Sequence, residues 1–496
     1  MQVTFGIDAK KKKEEDKIVP VVWDTDIAIN GHCLFMGMSG SGKSFTLRKV
    51  IKQMLATRGN TNVRFHVYDV HGDLTVDEAS DVMFSMQTPY GLNPLRVSSD
   101  PHFGGPRRTI QNFISTMNRC MRALGVKQES CIRNLLTDVY TRHGFTDDPR
   151  TWHIEAESTR LLSDGSDNRF YINVPKVEYE ELRKICVSAE YDHGVGSWWI
   201  PPRDYQGPVT RWEPKLLKRT YPNISDVLQY AKHVLQMSFL GTGAEAIAHL
   251  EAANKAAQAY QRKLLSSMKN GNSEFEDEGL SEAIEKAKTK AINTFTDYAN
   301  RISTGRELSD LIKYDSIDVL KSVIDRLETL IAIGIFKDAA PPFDYRQPVW
   351  RYDLRALSLR EEKKLFVLYH ISELFAQCVA LGETNQIRHV LILDEAHIYA
   401  DKDDENPIAT IAKEGRKFGI ALLLASQSPT HFNDDFITSV GSKIILGIDE
   451  SYWKSSASKL MLDIKGLQWI KMQRNMLVQV KGRGDSRTNW ICTTIQ

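Results

Sequence analysis

Near its start and again after about Gln347, the chain gathers apolar residues into short runs that stop at a polar or acidic position. "IVPVVWD", "HCLFMG" and "NVRFHVYD" form the first group. "PVWRYDL", "HVLILDEAH", "IALLLASQS", "SKIILGI", "NMLVQVKG" and "NWICTTI" form the second. Runs of this length and composition predict strands, several of them fully buried. Helical segments alternate with them, one from Lys43 to about Ala56 and one over "LREEKKLFVLYHISELFAQCVAL". A third, "NPIATIAKEGRKFG", ends at a capping Gly419. Strands alternating with helices predict an α/β fold around a mostly parallel sheet.

The middle of the chain has a different period. From about Asn112 to Tyr140, and from about Ile224 to Ile335, apolar residues recur at three- and four-residue spacing. In "LSEAIEKAKTKAINTFTDYANRI" the stripe is Ile284, Ala287, Ala291, Phe295, Tyr298 and Ile302, which reads as a packed helix face. "GVGSWWIPPRDYQGP", from Gly194, reads as a loop or hairpin, and "KNGNSEFEDEG", from Lys269, as a polar connector. The simplest architecture is one sheet split by a mainly helical insertion at 97–342, with core segments at 21–96 and 343–496. The charge run "DAKKKKEEDK" makes residues 1–20 read as a solvated charged tail, with a DNA-touching arm as the alternative.

Composition narrows the field. With 496 residues the chain is too long for one compact core, and its net charge of +1 means that any nucleic-acid contact is a local basic patch. "GGPRRT" (Gly104–Thr109) and "KGRGDSRT" (Lys481–Thr488) are the basic loop candidates, either as contacts or as solvated turns. Trp198 and Trp199 either stack on bases or pack within the insertion. The six cysteines are scattered without a C-x-x-C pair, which argues against a zinc ribbon or a redox dithiol. There is no signal-peptide pattern and no run long enough to span a membrane, so a soluble cytoplasmic protein is expected.

Candidate chemistry begins at "GMSGSGKSF". Gly37, Gly42, Lys43 and Ser44 satisfy G-x-x-x-x-G-K-[ST], between a strand and a helix. Glycines let the backbone curl around phosphate, and the helix N-terminus adds partial positive charge. The segment Gly37, Ser39, Gly40, Ser41, Gly42, Lys43, Ser44 and Phe45 is therefore the expected ATP cradle. Lys43 would reach the β- and γ-phosphates, and the Ser44 hydroxyl would ligate Mg²⁺. In "LILDEAH", Asp394 would complete the metal shell and Glu395 would polarise the attacking water. Gln427, ending a buried strand, suits a γ-phosphate sensor. Arg416 is open between a surface helix arginine and a finger supplied to a neighbouring subunit.

"NGHCLFMGMSGSGKS", "VYDVHGDL", "YGLNPL", "LDEAHIYA" and "IAKEGRKFGIALLLASQSP" resemble, in order, segments of the HerA/FtsK superfamily of P-loop motors. They most resemble the branch of HerA-type helicases and the ATPases of conjugation and type IV secretion. The resemblance implies a RecA-like core, ATP hydrolysis at the interfaces of a homo-oligomer, usually a hexamer, and double-stranded DNA as cargo. It gives Lys43, Ser44, Asp394, Glu395 and Gln427 the roles above and makes Arg416 the finger in trans. HerA-type helicases carry a β-barrel before the phosphate loop, whereas 36 residues precede Gly37 here. Three functions follow: a DNA translocase, with or without an effector such as a nuclease; an energiser of a secretion or conjugation channel; and an ATP-gated scaffold that regulates an effector.

Overall fold

A computed structural model of the chain describes residues 1–59, 61–154, 159–161, 170–192, 196–218, 220–240, 242–269, 277–301, 313–314, 316–401, 403, 405–485 and 489–495. They fall into two compact units. The first comprises Met1–Pro94, Ser115–Arg122 and Ala332–Gln496, and the second Leu95–Ile114 and Ala123–Ile331.

The first unit is built on an eleven-stranded sheet. Its strands are β1 (Gln2–Asp8), β2 (Pro20–Asp24), β3 (Cys33–Gly37), β4 (Arg64–Asp69), β5 (Ala79–Met83), β6 (Val349–Asp353), β7 (His389–Leu393), β8 (Ile420–Ser426), β9 (Ser442–Gly447), β10 (Asn475–Val480) and β11 (Ile491–Thr494). In space the order is β2-β1-β11-β10-β9-β3-β8-β7-β4-β6-β5. From β9 to β5 all neighbours are parallel, and from β9 to β2 all are antiparallel. The expected α/β class and mostly parallel sheet are what the chain adopts.

Helices cover both faces. Phe35, Val67, Ile392 and Leu423 point to one side, where the helix Lys43–Thr57 buries Leu47, Val50, Ile51 and Met54. The alternate residues Leu34, Tyr68, Leu391 and Leu422 are equally buried on the other side. There the helix Arg360–Ala380 seals in a polar network. His66 Nε2 lies 3.0 Å from His389 Nδ1, and its Nδ1 lies 3.0 Å from the Tyr352 hydroxyl. The Tyr352 hydroxyl meets His370 Nε2 at 3.2 Å, while Tyr68 bonds His370 Nδ1. Buried polar groups need such partners, and here they find each other.

Residues 1–20 are not a tail. Val3, Phe5 and Ile7 alternate inward with exposures of 1, 3 and 5 %, and β1 pairs with both β2 and β11. The two-residue period in "VTFGI" wins over the neighbouring charges. The charge run itself forms a short helix, Ala9–Glu15, capped by the Asp8 carboxylate and with no buried residue.

The second unit is helical with a small β part. Its helices include Val126–Arg142, Ile224–Leu240, Thr242–Lys269 and Glu278–Arg301. The last two pack on one another, with His249 Nδ1 3.1 Å from Thr294 Oγ1. The expected stripe is only partly covered, because Ala291 is buried while Phe295 is 51 % exposed; Ile302 lies outside the described residues. Strands Phe170–Ile172, Ser197–Ile200 and Glu190–Asp192 make a small antiparallel sheet around Trp198, Leu182 and Trp212. Thus Trp198, 3 % exposed, packs within its own unit. Most of the connector after Lys269 lies outside the described residues. Among the described residues no helix is long and apolar enough to cross a membrane.

Candidate active site

Parallel pairing places the C-terminal ends of β3, β8, β7 and β4 along one edge of the sheet, where open α/β sheets bind ligands. The register is specific. Met36 pairs with Ser426, and Leu393 pairs with both Leu424 and Tyr68. The residues that follow these partners are Gly37, Gln427, Asp394 and Asp69. Pairing therefore aligns the phosphate loop, the amide and two acids from segments far apart in the chain.

The loop from Gly37 to Gly42 curls as the motif requires. Gly42 has φ +92°, a left-handed conformation that disfavours a side chain, and a Cβ on Gly37 would lie 2.3 Å from Ser41 Oγ. Gly42 caps the helix Lys43–Thr57 without any side-chain hydrogen bond, which leaves its first N–H groups for an anion. Lys43 Nζ, almost fully buried, donates to the carbonyls of Gly37 at 2.8 Å and Met38 at 3.3 Å, and lies 3.8 Å from Glu395 Oε1. Gln473 Nε2 donates to the Gly40 carbonyl at 2.9 Å and steadies the loop from β10's side. Ser44 follows Lys43 in the first turn, and Phe45 stands 62 % exposed beside it.

Across the loop, Asp394 and Glu395 take different environments. Asp394 is 2 % exposed, and its Oδ2 has no hydrogen-bond partner. Burial, then the charges of Glu395 and Asp73, push its carboxyl up to about 6. Carboxylate oxygens of Asp69, Asp73 and Asp394 lie within 4.8 Å of one another. This hard oxygen set around an unpartnered buried oxygen fits a magnesium ion. Asp69 is fixed by the N–H groups of His71, Gly72 and Leu74 and by Arg351, whose Nη2 lies 2.7 Å away.

Glu395 has a φ of +46°. Its Oε2 accepts from Gln427 Nε2 at 3.4 Å and lies 3.1 Å from His397 Nδ1, out of line for a hydrogen bond. Burial acts to raise its carboxyl, but His397 and Lys43 outweigh burial and hold it below the usual glutamate value. Glu395 is thus kept ionised beside the loop. His397 in turn packs on His431, with ring centroids 4.9 Å apart, and Ser426 Oγ lies 3.0 Å from His431 Nδ1.

The structure brings Lys43, Ser44, Asp394, Glu395 and Gln427 together, but Arg416 stands apart. It lies exposed in the turn Gly415–Phe418, before β8 begins. Seven strand residues at ~3.3 Å each put roughly 20 Å between it and Gln427. Of the basic loops, Arg107 begins a helix and pairs with Asp147, while 486–488 lie outside the described residues. Asp69, Asp73, His397 and Gln473 are the site residues that motif reading misses. The first two carried a signal: "DVHGD" follows a strand end just as "DEAH" does.

Comparison with known proteins reaches the phosphate-loop part of the chain. Residues 9–100 match the family model described as "Helicase HerA, central domain". A DNA double-strand break repair helicase HerA of Pyrococcus furiosus is 29 % identical over 156 residues, 30 % of this chain and 27 % of the relative. A probable HerA helicase of Methanocaldococcus jannaschii is 42 % identical over 65 residues, 12 % of this chain and 13 % of the relative. The chain thus spans less than a third of these relatives' length. VirB4 of Thermoanaerobacter pseudethanolicus shares the fold with a TM-score of 0.51, at 14 % identity, over all of this chain and 96 % of VirB4. The motif segments lie in register on one parallel sheet, and the chain is similar to the HerA/FtsK superfamily of P-loop ATPases, with the family match lying at residues 9–100.

Proposed function

We propose that the chain hydrolyses ATP at this sheet edge and uses the energy to translocate double-stranded DNA as a ring of identical subunits. The observation that carries the reading is the meeting of Lys43, Glu395 and Gln427 within 3.8 Å contacts at the ends of three separate strands. In the reaction Lys43 exchanges the carbonyls of Gly37 and Met38 for oxygens of the β- and γ-phosphates. Glu395 takes a proton from water as the water oxygen attacks the γ-phosphorus and ADP departs. Gln427, bonded to Glu395, orients that carboxylate and senses the γ-phosphate. Ser44 and Asp394, with Asp69 and Asp73 beside Asp394, would hold magnesium, which would supply charge neutralisation on the phosphate oxygens. Arg416, too far from its own site, serves the site of a neighbouring subunit.

DNA as cargo is supported by the HerA relatives, which are named as DNA repair helicases. A ring that tracks the phosphate backbone needs no base reading, and with a net charge of only +1 its phosphate contacts fall on local basic patches. Steady-state ATPase with duplex DNA, single strands and no DNA tests the proposal. Strong stimulation by duplex is the expected result. Turnover that ignores DNA entirely would overturn the translocase reading, and would favour an ATP-gated scaffold.

A further inference from the structure

A general base that takes a proton from water at each turnover must hand it on before it acts again. Beside Glu395 stands a group with room for that proton. His397 Nδ1 lies 3.1 Å from Glu395 Oε2. This nitrogen is buried and has no hydrogen-bond partner, although the side chain as a whole is 25 % exposed. Buried polar atoms are nearly always paired, and an exception in contact with a reacting group calls for a role. An ionised Glu395 has no proton to offer Nδ1, whereas a protonated Glu395 does.

His397 is held for this contact from several sides. It sits in the short helical turn Ala396–Ile398, which the left-handed backbone of Glu395 opens. Arg360 Nη2, at the start of the helix Arg360–Ala380, donates to the His397 carbonyl at 2.7 Å. From the turn after β8, the His431 ring packs on the His397 ring with planes tilted by 40°. Glu395, Arg360 and His431 are the titratable or charged groups that face His397, and Lys43 and His71 act on the Glu395 carboxylate. Ring packing orients the imidazole but carries no proton, so the outlet from His397 is water on its exposed side.

Resting on the reading of Glu395 as the base, we infer that His397 is the acceptor to which Glu395 passes the proton of the attacking water. The water oxygen bonds to the γ-phosphorus as the bond to the ADP oxygen breaks, and one water proton goes to Glu395. The carboxylic acid then gives that proton to His397 Nδ1, which restores the carboxylate and leaves an imidazolium. The imidazolium sheds its Nε2 proton to solvent. The transfer runs downhill, because an imidazole is ordinarily about 100-fold more basic than a carboxylate. A His397 that already carries a charge cannot accept, so hydrolysis falls on the acid side of the pH profile.

The pH profile of kcat for MgATP hydrolysis by the full chain, compared among the wild type, His397→Asn and His397→Ala, tests this. Asparagine keeps a polar group beside Glu395 but cannot accept a proton. Both variants are expected to bind a non-hydrolysable ATP analogue as the wild type does, to turn over about 100-fold more slowly and to lose the acid limb. Imidazole added to the alanine variant is expected to restore part of the rate. Wild-type kcat in the asparagine variant, an acid limb that survives in it, or no gain from imidazole in the alanine variant overturns the relay and leaves His397 a positioning residue. Glu395→Gln separates the two readings: if it keeps normal turnover, the base itself is misassigned.

Discussion

The backbone N–H of Glu395 donates to Asp394 Oδ1 at 3.0 Å, while the φ of Glu395 is +46°. This single bond and its left-handed backbone turn two successive acids in different directions. One carboxylate goes to the acidic cluster with Asp69 and Asp73, the other to Lys43 and Gln427. Left-handed conformation is costly for glutamate and is retained where the surroundings impose it.

Glu395→Gln keeps the shape of the side chain but cannot take a proton. It should bind ATP normally and hydrolyse it at least about 100-fold more slowly. Filter binding paired with single-turnover hydrolysis reads both quantities, and unchanged turnover would remove Glu395 from the role of base.

Arg416→Ala should spare ATP binding and lower hydrolysis by about 1,000-fold, the usual effect of losing an arginine finger. Lys43→Ala should abolish nucleotide binding. Mixed with each other, the two inactive variants should regain ATPase activity, because each carries the part the other lacks. A mixture as inactive as its components counts against supply from a neighbouring subunit.

Asp73 is exposed and shares the acidic cluster with buried Asp69 and Asp394. Asp73→Asn should leave the fold intact and raise the magnesium concentration needed for half-maximal ATPase by about 10-fold, as weakening of a metal site does. An unshifted magnesium titration would place Asp73 outside the metal shell.

Arg351 is 4 % exposed and bridges Asp69, fully buried, to Asp81. Arg351→Met leaves the Asp69 charge without its cation. Denaturant unfolding should show a loss of about 3 kcal/mol, the low end for a broken buried pair, because three backbone N–H groups still hold Asp69. A change below about 1 kcal/mol would mean that those N–H groups suffice.

The buried histidines predict acid sensitivity. Burial lowers the His370 and His389 imidazoles from 6.5 to about 4, and with its neighbours' charges holds His66 well below 6.5. Their folded values lie below the unfolded one, so the unfolded chain binds more protons between pH 6.5 and about 4. Stability is then complete above pH 6.5 and falls as pH drops through that window, by roughly 3 kcal/mol for His370 alone. His370→Phe should flatten that part of the profile of Tm against pH.

The sequence made part of this site readable and hid the rest for a physical reason. Gly37 to Ser44 is a local solution to one problem, wrapping backbone around phosphate, so its spacing survives in the letters. Asp394 and Gln427 end apolar runs, and a buried strand's polar terminus stands out. Asp69 joins Asp394 only through the pairing of β4 with β7, across some 320 residues, and no local pattern encodes a register between such distant segments. Gln473 reaches the loop from farther still. The short strands around Trp198 are three or four residues long, too brief to establish a period. In the first strand, "VTFGI" alternated correctly but was overshadowed by the lysines after it.

The alternation of the parallel strands bears on how the chain is made. β3 lies between β9 and β8, β4 between β7 and β6, and β5 against β6, so none of these three early strands neighbours another. A stretch of 265 residues separates Met83, the end of β5, from Val349, where β6 begins. At a ribosomal pace of about 5–20 residues per second, the apolar edges of β4 wait roughly 15–55 s for β6, and those of β3 roughly 20–75 s for β8. Nascent-chain chaperones are the natural guardians of that interval, and a fragment ending before Val349 would be born with its most adhesive surfaces bare.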